Sequence, residues 1–122
     1  MIAYIIANNH LHLMLEVPDG KILAKFISEL NGASSRTINI ADNTINRKIW
    51  WNYFDHIIRD QSVFFKHLNY IHQNPIKHKL AKELSYQFSS YNLWLKRKGK
   101  EYLDQAFEKY PIVDFLACED EY

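Results

Sequence analysis

The chain has 122 residues, 48% hydrophobic and 15% aromatic, with 3 Gly and 3 Pro, enough apolar material for one packed domain and too much for a disordered one. A single cysteine, Cys118, excludes an intramolecular disulfide and suits a reducing compartment, so a cytoplasmic location is expected. The net charge of +1 conceals an asymmetry: residues 1–100 hold 14 Lys and Arg against 7 Asp and Glu, whereas residues 101–122 hold 7 acids and one Lys. A basic body suits a polyanion, because neutralised phosphates release counterions, although many soluble domains carry such patches.

The first residues, MIAYIIANNHLHLMLEV, are apolar but interrupted by His and Asn. They have neither a basic flank nor a small-residue cleavage site, so neither a signal peptide nor a membrane span is expected. Residues 2–7 and 10–17 read as two strands joined at Asn8-Asn9, residues that tolerate positive φ in a two-residue hairpin turn. Alternation puts His10, His12 and Met14 on one face of the second strand and Leu11, Leu13 and Leu15 on the other. The leucine face is the expected core face.

Pro18-Asp19-Gly20 breaks the strand, and Asp19 can cap a helix whose Ile22, Leu23, Phe26, Ile27 and Leu30 recur at helical spacing. That helix is expected to reach about residue 39, with a bend near Gly32. A polar loop follows over residues 40–47. The aromatic and β-branched run KIWWNYFDHII over residues 48–58 predicts a strand, which sends at least two of Trp50, Trp51, Tyr53 and Phe54 into the core. Asp60 can cap a helix from about residue 61 to residue 74, where Pro75 stops it. Loops, a helical turn at 78–83 and the apolar stretch 91–95 come next. A short amphipathic helix over 100–109 precedes the acidic end.

Two pairs of residues carry chemistry. His10-Leu11-His12 places two imidazoles on one strand face, close enough to hold one divalent ion, although that pattern alone is more often two surface histidines. Tyr70 and Asn74 lie one turn apart on one helical face with Val63 and His67, beside the stripe of Phe64, Leu68 and Ile71. By themselves they read as a tyrosine at the core edge and an asparagine near the helix end. His67 and His72 read as polar surface residues. His78 joins Lys77, Lys79 and Lys82 in a basic patch after the helix. Arg36, Arg47, Lys48 and Arg59 are further candidates for holding DNA backbone, and the aromatics at 50–54 for stacking on unpaired bases.

Order and spacing turn these pieces into a resemblance. AYIIANNHLHLMLE resembles the histidine hairpin of the HUH transposases. WWNYFDHIIRD with FFKHLNYIHQNPIKHKL resembles the downstream block of the REP-associated tyrosine transposases and their insertion-sequence relatives. FSSYNLWLKRKG and EKYPIVDF are similar to the tail of one branch. The resemblance implies an α+β fold, a ferredoxin-like αβ sandwich with an antiparallel sheet. It implies one domain over 1–122, with a catalytic core at about 1–75 and an extension at about 76–122. It implies His10, His12 and Asn74 as ligands of Mg²⁺ or Mn²⁺, and Tyr70 as a nucleophile that cuts single-stranded or hairpin DNA through a 5′-phosphotyrosine. Relatives begin with a further strand and helix, so the expectation here is a shortened form whose sheet edge is exposed, or is covered by a second copy in a homodimer. Ala7-Asn8 also replaces the family's Met-Pro. Two other readings remain open at this point: a catalytically inactive DNA-binding remnant, and a different metalloprotein or hydrolytic nuclease.

Overall fold

The computed structural model describes residues 1–111 and has the element order β1 (Ala3–Ile6), β2 (Leu11–Met14), α1 (Gly20–Ala41), α2 (Gln61–Lys77), α3 (Tyr91–Lys98) and α4 (Lys100–Lys109). The acidic end from Asp114 onward, the second half of the EKYPIVDF block and Cys118 lie outside the described residues. This is the expected α+β class, with a two-stranded antiparallel sheet and four helices among the described residues. Among the described residues, 1–16 and 58–111 form one compact unit and 17–57 a second. Among the described residues no helix is long and apolar enough to cross a membrane.

In the first unit β1 and β2 pair with Ala3 opposite Met14 and Ile5 opposite His12. The connection closes with an Ala7 N–H to His10 carbonyl bond of 2.9 Å, so the turn falls at Asn8-Asn9 as expected. Neither asparagine uses a positive φ, however. The core face differs from the expected one. Ala3, Ile5 and Met14 are buried with Leu68 and Ile71 of α2 in one apolar cluster, whereas Leu11, Leu13 and Leu15 are only half-buried. The helix covers the histidine-bearing face because its own apolar stripe, Leu68 and Ile71, continues directly into Tyr70 and Asn74. Polar and apolar residues therefore share one face, and alternation alone could not rank the two faces.

Asp60 caps α2 by accepting from the Val63 amide at 2.9 Å. Pro75 does not stop the helix but lies in its last turn, which runs on to Lys77. A proline removes one amide donor, and near a helix end that loss falls where few bonds remain. The turn is closed instead by the His78 amide to the Asn74 carbonyl at 3.0 Å. Residues 78–83 are turns and bends rather than a helical turn. Lys79 sits at φ 58 just past the helix cap, a left-handed position that favours glycine. Lys79→Gly is therefore expected to raise stability by about 0.5–1 kcal/mol, read as a higher urea midpoint. A lower midpoint would contradict it.

The segment after α2 folds back along β1. Ile6 donates to the Phe88 carbonyl and Ser90 to the Tyr4 carbonyl, both at 2.9 Å, and Ile5 bridges Ser89. Residues 88–90 thus act as a third, very short strand on the edge of β1. His72, expected at the surface, is fully buried and binds the Ser90 hydroxyl through Nε2 at 3.0 Å. That hydroxyl also accepts the Tyr4 amide at 3.0 Å. Gly99, at φ 88, makes the corner between α3 and α4. Asn69, buried on α2, donates to the Ala106 and Tyr110 carbonyls at 3.0 and 2.9 Å and so satisfies the end of α4.

In the second unit Asp19 caps α1 by accepting from Ile22 at 3.0 Å, and the helix runs to Ala41 with none of its residues buried. Arg47 clasps the following loop, reaching Asp42 at 2.6 Å and Asn39 at 3.1 Å. The predicted strand over residues 48–58 does not form. Trp50 is half-buried and donates to Ser34 at 2.7 Å, while Trp51, Tyr53 and Phe54 are at least half exposed. Strand propensity expresses itself only against a partner edge, and among the described residues this run pairs with no strand.

Candidate functional site

The site lies where the β2 end of the hairpin meets the last two turns of α2. His12 projects from β2, and the Tyr70 ring stands edge-on to it with centroids 5.2 Å apart. His10, the residue just before the strand, lies 5.1 Å from His12. Its Nδ1 bonds the Asn9 side-chain oxygen at 2.7 Å. An oxygen at that distance takes the Nδ1 proton and leaves the lone pair on Nε2, the arrangement a ligating imidazole needs. The Nε2 atoms of both histidines are shielded from solvent.

Tyr70 is 2% exposed, deeper than the core-edge position expected of it, yet it is not part of the apolar cluster. It is buried against imidazole instead. Lys77, exposed at the helix end, holds its Nζ 5.3 Å from the centre of the Tyr70 ring. Asn74 lies one turn on from Tyr70 and is 1% exposed. Its Oδ1 and Nδ2 have no hydrogen-bond partner among the described residues. A buried amide left unsatisfied costs about 1–3 kcal/mol, so a protein that keeps one has a use for it.

The fold thus brings His10, His12, Tyr70 and Asn74 to one place, from two segments about 60 residues apart in sequence. Among the described residues no group of three or more His, Cys, Asp or Glu is arranged to hold a metal ion. Two imidazoles and the Asn74 amide oxygen are residues that could offer donors to a metal, a combination outside that group.

Sequence reasoning placed His78 only in the basic patch after the helix and did not bring it to His10. His78 caps α2, is half-buried, and stands edge-on to His10 with centroids 4.9 Å apart. The available signal was the spacing itself: four residues beyond Asn74 is again the same side of the helix. Lys77, Lys79, Lys82 and Arg59 are exposed in the first unit. In the second, Arg36 is exposed, Arg47 is engaged in its loop clasp, and Lys48 lies 4.1 Å over the Trp51 ring.

No curated protein and no solved structure matches this chain. Residues 1–74 match the family model described as "Transposase IS200 like". The matched span is well over half the chain and contains His10, His12, Tyr70 and Asn74. By that match, the chain belongs to the IS200-like transposase family.

Proposed function

We propose that this transposase cleaves and rejoins single-stranded DNA by attack of Tyr70 on a backbone phosphodiester. The observation that carries the reading is the buried Tyr70 hydroxyl-bearing ring packed on His12, beside an Asn74 amide with no partner among the described residues. The Tyr70 oxygen forms a bond to phosphorus as the P–O3′ bond breaks, giving a 5′-phosphotyrosine and a 3′-OH. A later 3′-OH attacks the phosphotyrosine and releases Tyr70, so the bond energy is kept and no nucleotide cofactor is consumed.

His10, His12 and Asn74 would hold a divalent ion, Mg²⁺ or Mn²⁺. When bound, such an ion neutralises phosphate charge and makes the phosphorus more electrophilic. Asn9 orients His10 through Nδ1, and β-pairing of His12 with Ile5 fixes the second imidazole. Tyr70 is buried with its ring edge-on to His12 and the Lys77 ammonium 5.3 Å from its centre, contacts that support a held nucleophile. The exposed Lys77, Lys79, Lys82 and Arg59 supply charge for the DNA backbone.

The test is covalent capture. A labelled single-stranded oligonucleotide incubated with Mn²⁺ and wild-type protein should yield a protein–DNA adduct, and Tyr70→Phe should not. Cleavage without any adduct would favour a hydrolytic nuclease, and salt-sensitive binding without cleavage a DNA-binding remnant.

The ligand assignment has its own check. Asn74→Leu removes a buried amide that the fold leaves unsatisfied, so the metal-free protein should gain about 1–3 kcal/mol. The rise in melting temperature that Mn²⁺ gives the wild type should shrink or vanish. A variant that is less stable yet keeps the full Mn²⁺ response would remove Asn74 from the ligand set.

A further inference from the structure

We infer that Trp51, with Lys48 over its ring, is a stacking site for an unpaired base of DNA; the inference deepens the single-strand reading above and rests on it for the substrate class. The site lies wholly within the second unit. Two of the three tryptophans are tied into the fold. Trp50 donates its indole N–H to the Ser34 hydroxyl at 2.7 Å, Trp94 donates to the Ile2 carbonyl at 3.0 Å, and both are half-buried. Trp51 instead is 76% exposed, and Tyr53 and Phe54 beside it are at least half exposed. Residues 48–57 take neither helix nor strand, so no regular element seats the Trp51 ring against a neighbour.

The Lys48 Nζ lies 4.1 Å from the centre of the Trp51 ring, a cation–π pair on one face. A ring this exposed keeps its opposite face for a planar partner. From Asn43 to Phe54 the chain holds Arg47 and Lys48 and no acid. Arg47 is engaged by Asp42 at 2.6 Å, whereas Lys48 makes no ion pair among the described residues. A purely apolar partner closing over Trp51 would strip water from the Lys48 ammonium without neutralising it, which is costly. A nucleotide matches both groups at once, with a flat base for the indole and a phosphate for the ammonium. In a duplex the base faces are already stacked on one another, so only unpaired bases can use the ring.

The test compares oligothymidylate, which has no paired bases, with a blunt duplex, without added metal so that binding is read apart from cleavage. Oligothymidylate should quench the emission of an exposed tryptophan in the wild type, and Trp51→Ala should remove that quenching. By anisotropy, Trp51→Ala should bind oligothymidylate about 5–150-fold more weakly, the loss expected for one stacked base, and the duplex with near-wild-type affinity. Trp51→Phe keeps a ring, so it should recover most of the affinity but not the quenching. Lys48→Met should lower the slope of log affinity against log salt by about 0.7. Trp51→Ala should melt with the wild type, since the ring's contact among the described residues is with Lys48.

Unchanged oligothymidylate affinity in Trp51→Ala would overturn the stacking site and leave Tyr70 chemistry standing. Equal losses on oligothymidylate and duplex would overturn it too, because they mark backbone attraction rather than base contact. So would a Trp51 emission that is already blue-shifted without DNA and moves to the red on dilution, the sign of a second copy covering the ring. Trp51-dependent binding of oligothymidylate with no Tyr70-dependent adduct in Mn²⁺ would support the stacking site and overturn the cleavage reading. Failure of the wild type to bind oligothymidylate would overturn both readings together.

Discussion

Tyr70→Phe is expected to abolish the covalent protein–DNA adduct while leaving the fold and DNA binding intact. The substitution deletes one oxygen and keeps the ring that packs on His12 and under Lys77, so the apolar and ring contacts persist. Loss of a nucleophile acting within a catalytic set lowers rates by at least about 10³-fold, which puts the adduct below detection. Binding of the same oligonucleotide, measured by fluorescence anisotropy, should stay within a few-fold of wild type. Its salt dependence should be unchanged, because the exposed Lys77, Lys79, Lys82 and Arg59 are untouched. An adduct that persists in Tyr70→Phe would assign the nucleophile elsewhere. Collapse of both binding and melting temperature would show a structural tyrosine instead.

Much of the arrangement of these residues is legible in the sequence, and the reason is physical. Strand and helix periods are local properties, so His10 and His12 share a face by alternation and Tyr70 and Asn74 share one by the helical turn. Both helix caps were equally local: Asp19 and Asp60 accept the amides three residues on. What could not be read was which faces meet. The histidine face of β2 rather than its leucine face packs on α2, because that choice depends on the helix docking against it. The contact of His78 with His10 could not be read for the same reason, since the two are distant in sequence. The run at 48–58 looked like a strand from its aromatic and β-branched residues, but pairing is a tertiary event that composition does not supply. Residues 88–90 made the opposite error possible. Phe88-Ser89-Ser90 has little strand character, yet it lies along β1 because His72 and Tyr4 both bond Ser90.

That last linkage predicts an acid weakness in the scaffold that carries the histidines. His72 is fully buried on α2, with the Ser90 hydroxyl on Nε2, the Tyr91 and Trp94 rings against it, and no partner for Nδ1 among the described residues. Protonation would place a charge in that enclosure, so burial lowers its pKa from 6.5 to about 4. The unfolded chain regains the ordinary value and binds the proton first. Between these two values the unfolded state therefore holds more protons than the folded one, and stability falls as pH falls through this window. The loss is about 2 kcal/mol by pH 5 and about 3 kcal/mol once both states are protonated. Urea unfolding between pH 7 and pH 5 reads the first part of that loss, above the range where most carboxylates titrate. His72→Gln keeps a hydrogen-bonding group opposite Ser90 but cannot titrate, so its pH dependence should be flatter by about 2 kcal/mol over the same interval. Parallel curves for the two proteins would mean that His72 is not the group responsible. If the curves diverge as expected, acid also reaches the chemistry: the Ser90 clasp holds residues 88–90 on the edge of β1, and β1 pairs Ile5 with His12. Loosening that edge loosens the strand that carries His12 against the Tyr70 ring.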